Sequence, residues 1–261
     1  MTYQLLVETV DLRKALRAVA AFVDKDADKD ADITNGRARI RITADPVITY
    51  VQATNGVVGA LAIVSTIALA EDSESMDDPI AFDISPSDAA KILTCFPGRD
   101  GKDGEPGDEL RLEVDAEHLT IIDASGLFEG QSLVLGRVPD VEHPADILRT
   151  FVQLSDEPPQ GPGDGVLLTY GPSLALLIGA SKVYDRNILL ELHQRGDRVV
   201  TLARIGESFL AVVTEPYLEE EARGTYEDYR QAWASRLAEA VTASPALAKL
   251  AAVLGDDGDD R

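Results

Sequence analysis

DISPSDAAKIL (83–93) and TYGPSLALLIGASK (169–182) share one piece of punctuation, and that punctuation organises the whole chain. In each, a Pro-Ser pair stands directly after a β-like run and directly before a helix-like one. Serine as a cap and proline in the first turn are helix-start chemistry. Outward from the first stretch, IAFDI (80–84) alternates like a strand, and DAAKILTCF (88–96) places apolar residues at helical spacing until Pro97-Gly98 stops it. ELRLEV (109–114) and HLTIID (118–123) alternate, GLF (126–128) turns, and QSLVLGRV (131–138) closes before Pro139. Outward from the second, VLLTY (166–170) precedes the helical LALLIGASKVY (174–184). ILLELHQ, Gly196-Asp197, RVVTLA, Gly206 and SFLAVVTEP then follow. The order is β-α-β-β-β both times, and the agreement element by element marks a repeat.

The N-terminal part supplies a third copy. YQLLVETV (3–10) is a strand, Asp11 is placed to cap the helix LRKALRAVAAFV (12–23), and RARIRITA, VITYVQAT and VVGALAIVST alternate like three strands. Asp45-Pro46 and Asn55-Gly56 supply the turns. The units run over about 3–66, 80–139 and 166–216. The expected organisation is a domain of two units over 1–139, an acidic Pro/Gly linker over 140–165, a third unit as a half-domain over 166–218, and a helical segment with an acidic tail over 219–261. The expected class is α+β, with helices on one face of antiparallel sheets.

The chain's 261 residues are 45% hydrophobic, ordinary for a globular protein with a substantial core. No apolar run approaches a membrane span, and MTYQLLVETVD lacks the features of a signal peptide. The single cysteine, Cys95, cannot form an internal disulfide, so a reducing cytoplasm is the expected location. A formal charge of −22 weighs against adhesion of the whole surface to nucleic acid, while leaving room for a local basic face.

DKDADKDAD (24–32) imitates a calcium loop, but counting from Asp26 the required Gly and Glu are Ala31 and Arg37. GRDGKDGEPGDE (98–109) has a collagen-like period over a length far too short for a triple helix. His118, His143 and His193 are scattered, no nucleophile elbow or phosphate loop is present, and Cys95 beside Phe96 reads as a buried thiol. No catalytic residue, cofactor or metal is therefore expected. Cations are few and so carry more information. On the first helix, Leu12, Leu16, Val19 and Val23 form the apolar stripe, which puts Arg13, Lys14 and Arg17 toward the other side. Lys91 on the second helix, and Lys182 with Arg186 at the end of the third, extend a candidate basic lining.

LRKALRAV (12–19), VQATNGVVG (51–59), IAFDISPSDAAKILTCFPG (80–98), LRLEVDAEHLTI (110–121), VEHPADI (141–147) and FLAVVTEP (209–216) together resemble the DNA sliding clamp family, the bacterial polymerase III β-type and its phage relatives. The resemblance implies a non-catalytic processivity factor. Its helices face double-stranded DNA, encircled without regard to sequence, through Arg13, Lys14, Arg17, Lys91, Lys182 and Arg186. It implies a homo-oligomer and partners, a DNA polymerase and a clamp loader, that bind by short peptide motifs. The implied pocket joins a turn at Thr54, Gly56 and Val57 to a last strand at Val212, Val213, Thr214 and Pro216. The alternative is a clamp-derived regulator or decoy that binds protein without encircling DNA. Two clamp domains need four units and three are legible. The missing half is either too divergent to read in 140–165, replaced by the C-terminal helices, or supplied by another chain.

Overall fold

A computed structural model describes residues 3–23, 36–44, 48–69, 80–99, 107–126, 128, 130–137, 147–156, 171–195, 198–214, 228 and 231–236. The chain divides into a body over Met1–Glu215 and a second over Pro216–Arg261. In the second, 231–236 is helical, with the Ser235 hydroxyl donating to the Gln231 carbonyl at 3.0 Å and the Arg236 guanidinium 5.9 Å from the Trp233 ring centre.

The first body begins with β1 (Tyr3–Glu8), α1 (Thr9–Val19), β2 (Ile40–Ala44), β3 (Ile48–Thr54) and β4 (Val58–Leu69). It continues with β5 (Ile80–Ile84), α2 (Pro86–Cys95), β6 (Glu109–Val114), β7 (His118–Asp123) and β8 (Ser132–Gly136). After α3 (Ile147–Asp156) come α4 (Gly171–Tyr184), β9 (Ile188–Arg195), β10 (Arg198–Ile205) and β11 (Phe209–Thr214). The first two units show the expected β-α-β-β-β order. The third shows α-β-β-β; the strand expected at 166–170 falls on residues outside those described.

The leading strands are exchanged. β5, from the second unit, pairs with β2 of the first, Phe82 opposite Ile42, while β1 pairs with β6 of the second, Leu5 opposite Leu112. The result is β5-β2-β3-β4 and β1-β6-β7-β8, joined where the far end of β4 meets β1. The third unit adds by a different contact: its last strand β11 runs antiparallel to β4, the last strand of the first unit, with Val213 opposite Val58. Period-two alternation then sorts side chains to two faces. Val58, Ala60, Ala62, Val64, Ala203, Ile205, Phe209, Ala211 and Val213 enter the main core beneath α1, α2 and α4. Leu61, Val200, Leu202 and Val212 point the other way, where Ile147, Phe151 and Leu154 of α3 cover them. Rings from three elements lock the first and third units together, with Phe22 5.9 Å and Tyr184 5.5 Å from the Phe209 centroid.

Two sequence expectations change. The helix of the first unit starts at Thr9, not after Asp11: Glu8 holds the extended cap position with no side-chain cap, and the Thr9 amide donates to the Asp108 carbonyl at 2.9 Å. The strand thus passes straight into the helix, and Asp11 sits in the first turn, where its charge suits the helix dipole. The span 140–165, expected as a linker, carries α3, because Ile147, Phe151 and Leu154 recur at helical spacing and bury an apolar stripe. At α2 the expectation holds: the Ser85 hydroxyl accepts from the Asp88 amide at 3.0 Å, with Pro86 in the first turn. Ser85→Ala should lower stability by about 1 kcal/mol in chemical denaturation, the usual cost of a lost cap.

Candidate functional site

Two surfaces gather the residues singled out by sequence. On the helix side, Arg13, Lys14 and Arg17 of α1 meet Lys182 of α4 around a cleft of about 470 Å3 floored by Val10, Pro97, Gly98 and Val183. Gly98, at φ +63, lets the chain leave α2 close against α1; a Cβ there would stand 2.9 Å from Thr9 and 3.0 Å from Arg13. Arg13 reaches across and donates to the Leu93 carbonyl at 2.6 Å and to the Phe96 carbonyl, capping α2 from outside. Burial first, and the neighbouring Arg17 charge second, pull the Arg13 guanidinium below its usual range. Arg13 is therefore partly a structural clasp between the first two units.

Lys91 and Arg186 do not line this cleft. Lys91 stands exposed on α2, with its ammonium 2.8 Å from Asp88. Burial raises the Asp88 carboxyl, but hydrogen bonds from Lys91 and Ser85 outweigh that and leave it below the ordinary carboxylate range. Arg186 lies past the end of α4, donates to the Asp185 carbonyl at 3.1 Å, and shields Gly206 in the turn before β11.

The second surface lies on the sheet's other face, where first and third units join. A cleft of about 240 Å3 is lined by Thr54, Gly56, Val57, Val58 and Gly59 from the β3–β4 turn, by Val212 and Thr214 of β11, and by Val200 and Arg195. α3 adds Ile147, Thr150, Gln153 and Leu154. The turn is tightly specified. Asn55 Oδ1 accepts from the Val57 and Val58 amides at 2.9 Å each, and the Thr54 hydroxyl donates to the Val58 carbonyl at 2.7 Å while accepting from the Gly56 amide at 3.0 Å. Gly56 adopts φ +90, a conformation that favours glycine. The Thr214 amide donates to the Val57 carbonyl at 2.9 Å, tying the last strand to the turn. On the α3 side, Arg204 grips Glu191 through two bonds of 2.8 and 3.2 Å and reaches the Ser155 hydroxyl at 3.3 Å. The cleft therefore offers an open, largely apolar slot beside a hydrogen-bonded turn, with Thr150, Gln153 and Arg195 among its lining.

No protein-family model and no curated protein matches the chain in sequence. Solved structures do match in shape. The DNA polymerase sliding clamp of Bacillus subtilis superposes with TM-score 0.51 at 12% identity, over 82% of this chain and 64% of that one. The fold is the sliding-clamp fold. The Helicobacter pylori β clamp bound to a DNA ligase peptide aligns at TM-score 0.48, with 15% identity over 84% and 68% of the two chains. A. fulgidus PCNA, bound to the C-terminal region of FEN-1, aligns at 0.47, with 11% identity over 84% and 99%. This clamp-fold chain spans 64% of the B. subtilis clamp, just under two thirds of it.

Within the clamp fold, the turn and last strand quoted from sequence come together at one cleft, with Thr54, Gly56, Val57, Val212 and Thr214 on its walls. Val213 is the correction. It faces the main core and is 1% exposed, because neighbours on a strand point to opposite sides. Pro216 lies outside the described residues. What sequence reasoning missed is the α3 wall. Its signal, Ile147, Phe151 and Leu154 at i, i+4 and i+7, is obscured by the Pro/Gly-rich flanks. Among the described residues no three His, Cys, Asp or Glu side chains group as metal ligands, and no helix is long and apolar enough to cross a membrane.

Proposed function

We propose that this chain is a non-catalytic, clamp-like tether that rides on double-stranded DNA and holds a DNA polymerase through a peptide seated in the outer cleft. The observation that carries the reading is the convergence of Arg13, Lys14, Arg17 and Lys182, from helices of two different units, on one helix-bearing face of a chain with formal charge −22. Acidic surface elsewhere repels phosphate, so such a patch can hold DNA loosely in one orientation without binding it tightly. A tether needs no more. Polymerase and clamp loader are partners of the same cleft on this reading, and no cofactor is involved. The protein-binding regulator remains the competing reading, and DNA binding separates the two.

The test substitutes Lys14, Arg17 and Lys182 together with Glu. Arg13 is left alone because it clasps α2, and its loss would confound folding with binding. DNA affinity should fall, and the slope of log affinity against log salt should shrink by about 0.9 for each phosphate that is no longer neutralised. Titrations of duplex DNA at several salt concentrations read both. An unchanged slope in a folded variant rejects DNA tethering and leaves the regulator.

A further inference from the structure

The cleft on the helix side is a hollow rather than a ridge. Val10, Arg13, Lys14 and Arg17 recur at i, i+3, i+4 and i+7, so they form one stripe of α1 that borders it. Lys182 and Val183 border it from α4, and Pro97 and Gly98 from the chain just past α2. Cations from two helices thus surround a space of about 470 Å3, a size at which a small ligand is enclosed. Duplex DNA is far too wide to enter such a space and would lie across its rim. The interior is left for something smaller.

The lining carries four cations and no carboxylate, in a chain with 46 Asp and Glu against 24 Lys and Arg. Other cations of the same body have carboxylate partners: Arg41 reaches Asp83 at 2.9 Å, Lys91 reaches Asp88 at 2.8 Å, and Arg204 reaches Glu191 at 2.8 Å. At the cleft the charges meet one another instead. Arg13 and Arg17 stand one turn apart on α1, a like-charge spacing that weakens a helix. After burial, the Arg17 charge is what pulls the Arg13 guanidinium below its usual range. An anion bound among them relieves that repulsion. Arg13 is also fixed in place by its hydrogen bond to the Leu93 carbonyl, so little order has to be gained when a ligand arrives. Arginine forks suit paired phosphate oxygens, and lysines supply point charges beside them.

We propose that this cleft is a binding site for a compact oligophosphate, free or as the triphosphate of a nucleotide, held by Lys14, Arg17 and Lys182. Four cations around one small space match linked phosphates better than a single one, because each further phosphate binds without a second loss of freedom. In a nucleotide, the base has an apolar floor to rest on, made by Val10, Pro97 and Val183. The inference does not rest on the DNA-tether reading. Where the cleft also meets DNA, an occupant competes with the duplex for the same cations.

Isothermal titration calorimetry of the full-length chain, at fixed ionic strength and without magnesium, tests this with tripolyphosphate, ATP and inorganic phosphate. Tripolyphosphate and ATP should each bind at one site per chain, about tenfold or more tightly than inorganic phosphate. Lys14→Ala and, separately, Lys182→Ala should each weaken both by about fivefold or more, with unchanged far-UV spectrum. Lys91→Ala, which removes an exposed cation outside the cleft, should leave both affinities as they are. ATP binding more tightly than tripolyphosphate makes a nucleotide the ligand, and the reverse order makes it a free oligophosphate; the cleft is the site in both cases. No saturable binding at millimolar concentration overturns the proposal. So does inorganic phosphate binding as tightly as tripolyphosphate, or a loss as large in Lys91→Ala as in Lys14→Ala, since either would mean diffuse attraction to a basic surface. Duplex DNA is titrated separately. A chain that takes tripolyphosphate but no duplex refutes the tether alone, and one that takes duplex but no tripolyphosphate refutes this site alone.

Discussion

Asp83→Ala should cost about 3–5 kcal/mol of folding stability, the usual penalty for removing one partner of a buried ion cluster. Asp83 lies on β5, the strand that the second unit donates to the first, and its side chain is almost wholly buried. Arg41, directly opposite in register, holds both carboxylate oxygens at 2.9 and 3.1 Å. Arg39, equally buried, lies 3.5 Å from the same carboxylate. One carboxylate thus meets two guanidinium groups at the seam between units. Without it, Arg41 loses two hydrogen bonds and both arginines lose a shared counter-charge. Equilibrium urea unfolding checks the figure; a loss below about 1 kcal/mol would mean that water reaches the arginines and that the cluster contributes little.

Much of this architecture could be read from sequence because local rules and tertiary structure agree. Pro86 and Ser85 start a helix wherever they sit, and Asn55-Gly56 makes a turn whose hydrogen bonds are local. The β-α-β-β-β order followed from such punctuation. Strand exchange was not legible. Nothing in IAFDI distinguishes a strand that pairs within its unit from one donated to a neighbour, because alternation fixes faces and not partners. The cleft was legible in half. Thr54, Gly56, Val57, Val212 and Thr214 lie on it, but its α3 wall depends on a long-range contact between Phe151 and the outer face of β10 and β11. Arg13 shows the converse failure. Helical periodicity places it on the exposed side of α1, yet its long side chain turns to cap α2, reaching Leu93, 80 residues away in sequence. Lys91 on α2 and Arg186 just past α4 have the right sign, but neither reaches the cleft between α1 and α4.

Two substitutions by aspartate, one in strand β11 and one in the β3–β4 turn, separate the core from the cleft. Val213→Asp puts a carboxylate into the core beneath α1 and α4, where Val213 is 1% exposed and packed among apolar side chains. Stability should drop by about 4 kcal/mol or more, and the chain should be largely unfolded or insoluble. Val57→Asp, at the mouth of the outer cleft and 52% exposed, should change stability by less than about 0.5 kcal/mol. Its charge nevertheless faces the apolar slot between the turn and α3. On the tether proposed above, a fluorescently labelled peptide of the partner DNA polymerase should bind about tenfold or more weakly to Val57→Asp than to the parent. Thermal melts and anisotropy titrations on the two variants separate core from cleft. If Val213→Asp folds and merely loses the peptide, β11 has the opposite register to β4. If Val57→Asp folds and binds the peptide as the parent does, the partner does not use this cleft. The hydrogen bond from the Thr214 amide to the Val57 carbonyl then serves only to seal the first unit to the third.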